Sequence, residues 1–459
     1  MICVSHFDSH SVIIASMNVF KLTVGITTAF ANLFLATVFA ENVTRDDIGA
    51  WLTETTLADP PSGGAIVEID ELELLRAWIP SGYFEEFQFP EVTVEIQETA
   101  DYPGHRSYVD ASERFKGQAT IGADGRLENY MAGRPFTHEQ IISADPATGG
   151  YMLAWNQIHR WQFYGYKVDE VTMAYVGSSS GPAPLDPQAG LVGGGSLDRT
   201  LTQSYHRVYL NKLAMLPDQD YRVHVPDSDT IFFKDYMEFL DPFNIKGTKF
   251  VIERMLDPHA DDQVNTYLPT ERRIRRFSAR ERADSFMGSN GTLDDFEGFS
   301  GRVLDYKWTY LGQRQILHVA DTKREKQRTF GPFSRLPDDR WQLRNCHVVE
   351  VKSVWEGHPY RSRVLFIDRQ TFGVALSLIF NHDNLLWKTM QTIYRRPLPD
   401  DGSEASIETS VSRWRGQINI DRLANTATVV SARTDTLYPT MSPAAIKRIF
   451  SVSSLTSGQ

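Results

Sequence analysis

Cysteine is nearly missing from this chain: Cys3 and Cys346 are the only two among 459 residues. They cannot build a disulfide framework, and no paired Cys/His spacing for zinc exists. Positive charge is also scarce, with 47 Lys and Arg against 58 Asp and Glu for a net charge of −11. That balance excludes a general nucleic-acid binder, which needs a basic footprint, and attachment by charge alone to an anionic membrane. The histidines from His105 to His382 are scattered, without H-x-x-x-H or H-E-x-x-H spacing. Asp257, Asp261 and Asp262 share one turn, and Asp294, Asp295 and Glu297 another. Neither group has the spacing or closing Glu of a calcium loop, so solvated turn carboxylates are expected and no metal or other cofactor. Gly177–Gly181 fits G-x-S-x-G, but Pro182, Pro184 and Pro187 bar the helix that a nucleophile elbow needs. A flexible loop is expected there.

What the chain does have begins with an export signal. Lys21 precedes Leu22–Phe39, a run without charge that ends in Val38-Phe39-Ala40 before Glu41. Small residues at −3 and −1 predict cleavage, giving a leader over 1–40 and a mature domain over 41–459. Met17 begins a compact version of the same signal, and a retained anchor is the alternative reading. Cleavage leaves Cys346 as a lone thiol in the strand-like NCHVVEVK, a small buried hydrophobe. The protein would then hold together through its core alone, as a soluble exported chain.

Apolar residues make up 41% and aromatics 12%, with nine Trp, a composition suited to strands and amphipathic walls. Helical spacing is confined to a short segment within Glu41–Leu57, to Leu153–Tyr164 and to Pro443–Phe450. Between them, alternating runs predict strands at Val92–Gln97, Val168–Val176, Tyr205–Met215, Thr230–Phe239 and Thr248–Leu256. The series continues at Arg302–Leu311, Ile316–Ala320, Asn345–Trp355, Arg361–Ile367, Phe372–Phe380, Trp387–Tyr394, Val411–Ile420 and Thr426–Ala432. Ala123-Asp124-Gly125 marks a hairpin within Phe115–Asn129. Consecutive strands joined by short turns make an antiparallel meander, and this many would curl towards a barrel with an interior.

The densest signal is Tyr267–Gly301, where the Arg-rich TERRIRRF meets a Gly/Ser/Asn turn and an acidic pair. Arg272, Arg273, Arg275 and Arg276 place guanidinium groups on both faces of one strand. One reading pairs them with Asp284, Asp294 or Asp295 as a network that pins the sheet. The other makes Arg273 and Arg275 a fork for an anionic headgroup.

Tyr267-Leu268-Pro269 with RRIRRFS, then Asp284–Ser289 and Asp294-Asp295, resembles the outer-membrane-lipoprotein-sorting family. More narrowly it is similar to a periplasmic branch of the LolA-like superfamily labelled only a domain of unknown function. Tyr360–Thr371 (YRSRVLFIDRQT), His382–Lys388, Ala132–Phe136 (AGRPF) and Asp186–Gly190 carry the same likeness, which runs over about Pro103–Arg396 within a core of 85–400. Asn290 departs from the Asp usual in lipoprotein-sorting relatives. The resemblance implies an α+β, β-rich fold: a strongly curved antiparallel sheet, an incomplete barrel, closed by helices over an apolar cavity. It also implies a non-catalytic carrier or chaperone for a lipid or acylated lipoprotein, working with an envelope transporter or outer-membrane barrel.

Strand alternation then makes Phe250, Ile252, Val374, Leu376, Leu378, Phe380 and Trp387 the candidate cavity lining, with the opposite register equally open. Trp155, Ile158 and Trp161 are the candidate lid, with a plain core helix as the alternative. Two rival functions stand beside the carrier. One is a structural or adaptor protein whose interior is filled by its own side chains. The other is an envelope hydrolase whose site is assembled from distant strands.

Overall fold

The architecture follows from two meanders that share one sheet. The computed structural model describes residues 42–56, 59–177, 190–191, 195–278, 280–396, 406, 408–438 and 441–456. The leader, the G-x-S-x-G site beyond Gly177 and Asp186–Ala189 lie outside those residues. The chain divides into Met1–Val43 and the compact unit Thr44–Gln459, which is described here. Among the described residues no helix is long and apolar enough to cross a membrane.

In chain order the elements begin with α1 (Arg45–Thr53), β1 (Ile66–Glu68), β2 (Thr93–Ile96), α2 (Arg106–Arg114), β3 (Thr120–Ile121) and β4 (Leu127–Glu128). Next come α3 (His138–Ser143), α4 (Pro146–Ile158), β5 (Gly165–Gly177), β6 (Ser196–Tyr209), β7 (Ile231–Asp241) and β8 (Lys249–Met255). β9 (Gln263–Leu268), β10 (Arg273–Phe277), β11 (Tyr306–His318), β12 (Thr329–Phe330), β13 (Leu336–Pro337) and β14 (Arg340–Ser353) follow. The chain closes with β15 (Ser362–Asp368), β16 (Val374–Phe380), β17 (Leu386–Arg395), β18 (Arg413–Asp421), β19 (Thr426–Leu437) and α5 (Pro443–Phe450).

Fifteen strands form one open sheet in the order β1-β2-β14-β15-β16-β17-β18-β19-β5-β6-β7-β8-β9-β10, with β11 on β14. β14–β19 is one meander and β5–β10 the other; β19 joins them by pairing with β5, Ala427 opposite Val176. The parallel pairing of β2 with β14 makes the sheet mixed and not purely antiparallel. The sheet does not close into a barrel.

Local sequence explains the central strands. VLFID and VALSLIF are near-continuous apolar runs, and β15 and β16 are buried at every position. An antiparallel strand normally wets one face, so both faces here must be covered. On one side lie α1 and the 3₁₀ turns over Ile69–Trp78 and Phe84–Phe87, with Trp51 edge-on to Phe366.

Several boundaries differ from the sequence pattern, among them β6, expected over Tyr205–Met215 and found over Ser196–Tyr209. β11 is one strand, broken only by a bulge at Gly312, where two were expected. β9 was unforeseen, because the polar residues of QVNTYL hide its alternation. α4 runs from Pro146 to Ile158, beginning well before Leu153 and ending ahead of Trp161. The Asp145 carboxylate caps it, accepting from the Ala147 and Thr148 amides at 3.1 Å. Gly150 lies so close to β11 that a Cβ there would come within 2.7 Å of the Trp308 carbonyl carbon.

Six imidazoles are withdrawn from water, His318, His347 and His358 buried and His138, His159 and His206 half-buried. Burial, foremost in each case, pushes His159, His318 and His347 down to about 3 and His138, His206 and His358 to about 4, from the ordinary 6.5. Folded-state values below the unfolded ones mean that this stability is full above pH 6.5 and lost as pH falls towards 3–4. Thermal melts between pH 7.5 and 4.5 should therefore show Tm dropping steadily below about pH 6.5. A flat profile would contradict the neutral burial of these side chains.

Candidate functional site

The chain must travel from β10, at one open edge of the sheet, to β11, at the other. It does so through residues 278–305, built of short 3₁₀ turns at Arg280–Ala283, Phe286–Gly288, Leu293–Gly298 and Val303–Asp305. This crossing segment touches both ends of the sheet. Arg254 of β8 donates to the Ser300 carbonyl at 2.7 Å, and Arg363 of β15 binds Asp295 at 2.6 Å. Strands with seven others between them thus meet the same stretch, so the sheet curls around it. What occupies the inner side is this segment together with α4, which packs against β11 and joins Phe299 and Val374 in one cluster, not a layer of several long helices.

Charge holds the segment in place. Asp294, Asp295 and Glu297 are 6%, 1% and 7% exposed, which corrects the expectation of solvated turn carboxylates. Each has its own guanidinium: Arg282 binds Asp294 at 2.8 Å, Arg363 binds Asp295, and Arg160 binds Glu297. Asp262 extends the chain of charge, pairing with Arg254 at 2.8 Å and Arg282 at 3.3 Å. The Tyr306 and Tyr360 hydroxyls donate to Asp294 at 2.8 Å and Asp295 at 2.9 Å. Burial alone would raise the Asp294 pKa, but Arg282, the Tyr306 hydrogen bond and Arg363 bring it below the ordinary value. Glu297 adopts φ 52° and Gly298 φ 81°. A Cβ at Gly298 would sit 2.6 Å from that of Val374, so only glycine permits this approach to β16.

The tip of the segment is pinned to the second meander. Asn290 donates its backbone N–H to Thr428 Oγ1 at 3.0 Å, and Lys388 Nζ donates to the Asn290 carbonyl at 2.9 Å.

Between sheet and segment a cavity of about 90 Å³ remains. Met173, Tyr205, Met237 and Ile252 line it from the sheet, Phe286 and Phe296 from the segment. Arg207, Asp235, Arg254, Arg282 and Asp295 also line it. Four buried polar atoms of the lining, Gln203 Oε1, Tyr205 Oη, Arg282 Nη1 and Trp414 Nε1, have no hydrogen-bond partner among the described residues. The wall is therefore mostly apolar, with charged groups at its margin and a few unanswered polar handles.

The predicted lining divides between the faces of the sheet. Ile252 lines the cavity, and Phe250, paired with Met237 opposite, packs on Phe286 with ring centroids 5.8 Å apart. Val374 belongs to the inner cluster with Phe299 and Trp308. Leu376 pairs with Phe366 and Gln391, which touch Trp51 and Tyr83, and so faces the outer layer. Leu378 follows Leu376 by alternation, leaving Ser377 and Ile379 on the inner face. Phe380 is fully buried beyond a bulge, and Trp387 packs on Tyr360. Trp155 and Ile158 line a separate cavity of about 200 Å³ with Lys212 and Phe232, while Trp161 donates to Ser410 Oγ in another cluster.

Arg273 and Arg275 lie at the surface, both bound to Glu271, at 2.5 and 2.9 Å. The expected pairing of the Arg-rich strand with Asp294 and Asp295 is replaced by Arg282 and Arg363. One signal for the latter was available: a lone charge inside the apolar run SRVLFI demands a buried partner. No group of three or more metal-ligating side chains occurs among the described residues.

Residues 77–425 match the family described as "Protein of unknown function (DUF1329)". A DUF1329 family protein from Desulfovibrio piger is 16% identical, the match covering 68% of this chain and 100% of that one at a TM-score of 0.45. A putative outer membrane lipoprotein-sorting protein domain from Vibrio parahaemolyticus is 14% identical, with 67% and 99% covered and a TM-score of 0.44. A LolA superfamily protein from Nitrosomonas europaea is 13% identical, with 65% and 96% covered and a TM-score of 0.35. No curated protein matches the sequence.

Removing one partner from the Arg363–Asp295 pair leaves a buried charge alone. Asp295→Ala should cost about 3–5 kcal/mol in urea unfolding, and Asp295→Leu with Arg363→Met should recover much of it. A loss below about 1 kcal/mol for Asp295→Ala would show that the pair does not hold the segment.

Proposed function

The chain belongs to the DUF1329 family, and from that membership and the geometry of its interior we propose that it is a non-catalytic carrier of a hydrophobic molecule. A lipid or the acyl chain of a lipoprotein is the proposed cargo, the periplasm the proposed setting, and an envelope transporter or outer-membrane barrel the proposed partner. The observation that carries the reading is the apolar cavity between the curled sheet and a segment of the same chain.

At about 90 Å³ this cavity is well below the ~300–1,000 Å³ of small-molecule sites. A guest must therefore displace Phe286, Leu293 and Phe296. A ~16-carbon tail gains on the order of 12 kcal/mol on burial, at ~0.8 kcal/mol per CH₂. Exposing three large apolar side chains returns roughly 5–9 kcal/mol. A difference of a few kcal/mol suits a molecule that must be released as well as held. Tyr205 Oη and Gln203 Oε1 would receive the polar end of the guest, and Ile252 and Phe250 its tail. Trp155 and Ile158 form the wall of the neighbouring cavity in this scheme.

A second reading, a structural or adaptor protein filled by its own side chains, draws support from the same small volume. Protein purified from its native envelope, extracted and subjected to lipid mass spectrometry, separates the two. The carrier reading expects a co-purifying lipid and uptake of a fluorescent fatty acid that falls at least about tenfold in Ile252→Trp, with an unchanged melt. Empty protein that also takes up no fatty acid would leave the structural reading.

A further inference from the structure

A second cleft, of about 510 Å³, shares no lining residue with the interior cavity. It lies between α2, the start of α3 and the turn that joins β15 to β16. Two arginines far apart in sequence converge on it: Arg134 of AGRPF and Arg369 of YRSRVLFIDRQT. Their backbones are anchored, Arg134 N–H donating to Ser112 Oγ at 2.8 Å and Arg369 N–H to the Asn345 carbonyl at 2.9 Å. Their guanidinium groups are not. Among the described residues neither has an ion-pair or hydrogen-bond partner, and Arg369 Nε is shut from solvent unsatisfied.

The acids nearby are already engaged or turned outwards. Asp368 binds Arg344 at 2.7 Å, Asp101 accepts from Gln370 at 2.8 Å, and Glu113 pairs with Lys116 at 3.4 Å. Glu139 is exposed. Two cations without a carboxylate partner among the described residues are thus left beside an open cleft. A buried donor without a partner is costly, and a bound acceptor would supply one.

The remaining wall is aromatic. Tyr102, Tyr108 and Phe372 line the cleft, and the His138 ring stacks on Phe372 with centroids 5.6 Å apart. His138 Nδ1 meets His347 Nε2 at 2.9 Å, and His347 Nδ1 meets the Tyr310 hydroxyl at 3.0 Å. This relay fixes the His138 ring, and the neighbouring Arg134 and Arg369 add to its burial in keeping it neutral.

We infer that this cleft binds an anion, a carboxylate or phosphate attached to an aromatic or short aliphatic body. Arg134 and Arg369 would clamp the charged group in the forked geometry that suits guanidinium, and Phe372, Tyr102 and Tyr108 would hold the body. The volume falls within the range of small-molecule sites. Carriage of a lipid in the interior is not required for this site.

The anion could be a free small molecule or a lipid headgroup, and calorimetry on the full chain distinguishes them. The probes are phenyl phosphate, hexanoate, and phosphatidylcholine vesicles with and without phosphatidic acid. Binding of either soluble probe assigns a free anion; binding of only the phosphatidic-acid vesicles assigns a headgroup. In either case Arg134→Met and Arg369→Met should each weaken binding about tenfold or more. Because neither guanidinium holds the fold together, both variants should melt no lower than the parent. Absence of binding by every anionic probe, or binding indifferent to both substitutions, would overturn the inference.

Discussion

Three carboxylates on one short stretch, each buried and each matched by an arginine from a different part of the chain, hold this structure together. Arg282, Arg363 and Arg160 come from the crossing segment itself, from β15 and from just beyond α4. A buried ion pair adds little net stability over an apolar substitute, but breaking one is costly. Such pairs act mainly on position: they allow one seating of the segment and penalise others. The curl of the sheet depends on that seating, because the same stretch ties β8 to β15. Without it, a fifteen-stranded open sheet would have no fixed interior.

The cavity follows from the same arrangement. A wide sheet curled around an irregular segment cannot be packed as tightly as helix on sheet, since 3₁₀ turns present no regular ridge. Space is left where Phe286 and Phe296 meet Met173, Met237 and Ile252. Ion pairs through Asp294, Asp295 and Glu297 and apolar contacts through Phe286, Leu293 and Phe296 give it two kinds of hold, interleaved along the chain. The apolar contacts can be replaced by another apolar body without loss, whereas the ion pairs cannot. A carrier built this way would turn those apolar side chains aside while the ion pairs keep the backbone around Asp294–Glu297 seated.

Much of this fold was legible in the sequence, and the rest was hidden for definite reasons. Strands such as Phe372–Phe380 and Trp387–Tyr394 announce themselves by apolar content and alternation. Alternation alone does not say which face is inward. The bulge between Phe366 and Ile367 shifts the register, so Leu376 and Leu378 turn towards the outer layer while Val374 stays inside. Gly149 and Gly150 interrupt the apolar period of α4 and so disguised its first turn, although they let it press against β11. Least legible was the crossing segment. Its turns have no periodicity, and its acids resemble the surface carboxylates of any loop until Arg282 and Arg363 are seen beside them. The Arg-rich strand drew attention because its charge is dense, yet Arg273 and Arg275 spend it on Glu271 at the surface. Of the arginines whose pairings matter, Arg363 alone stands among apolar neighbours, whereas Arg282 and Arg160 lie in polar or mixed stretches that gave no signal.

The account rests on the middle of the crossing segment being replaceable by an apolar guest. Hydrogen exchange followed by mass spectrometry, with and without saturating palmitate, tests that directly. Amides of Phe286–Leu293 should lose protection when palmitate is bound, while those of Asp294–Glu297, β15 and β16 remain protected. Binding of palmitate with unchanged exchange across Phe286–Leu293 would contradict it, because the guest would then lie elsewhere and the interior would belong permanently to the chain's own side chains.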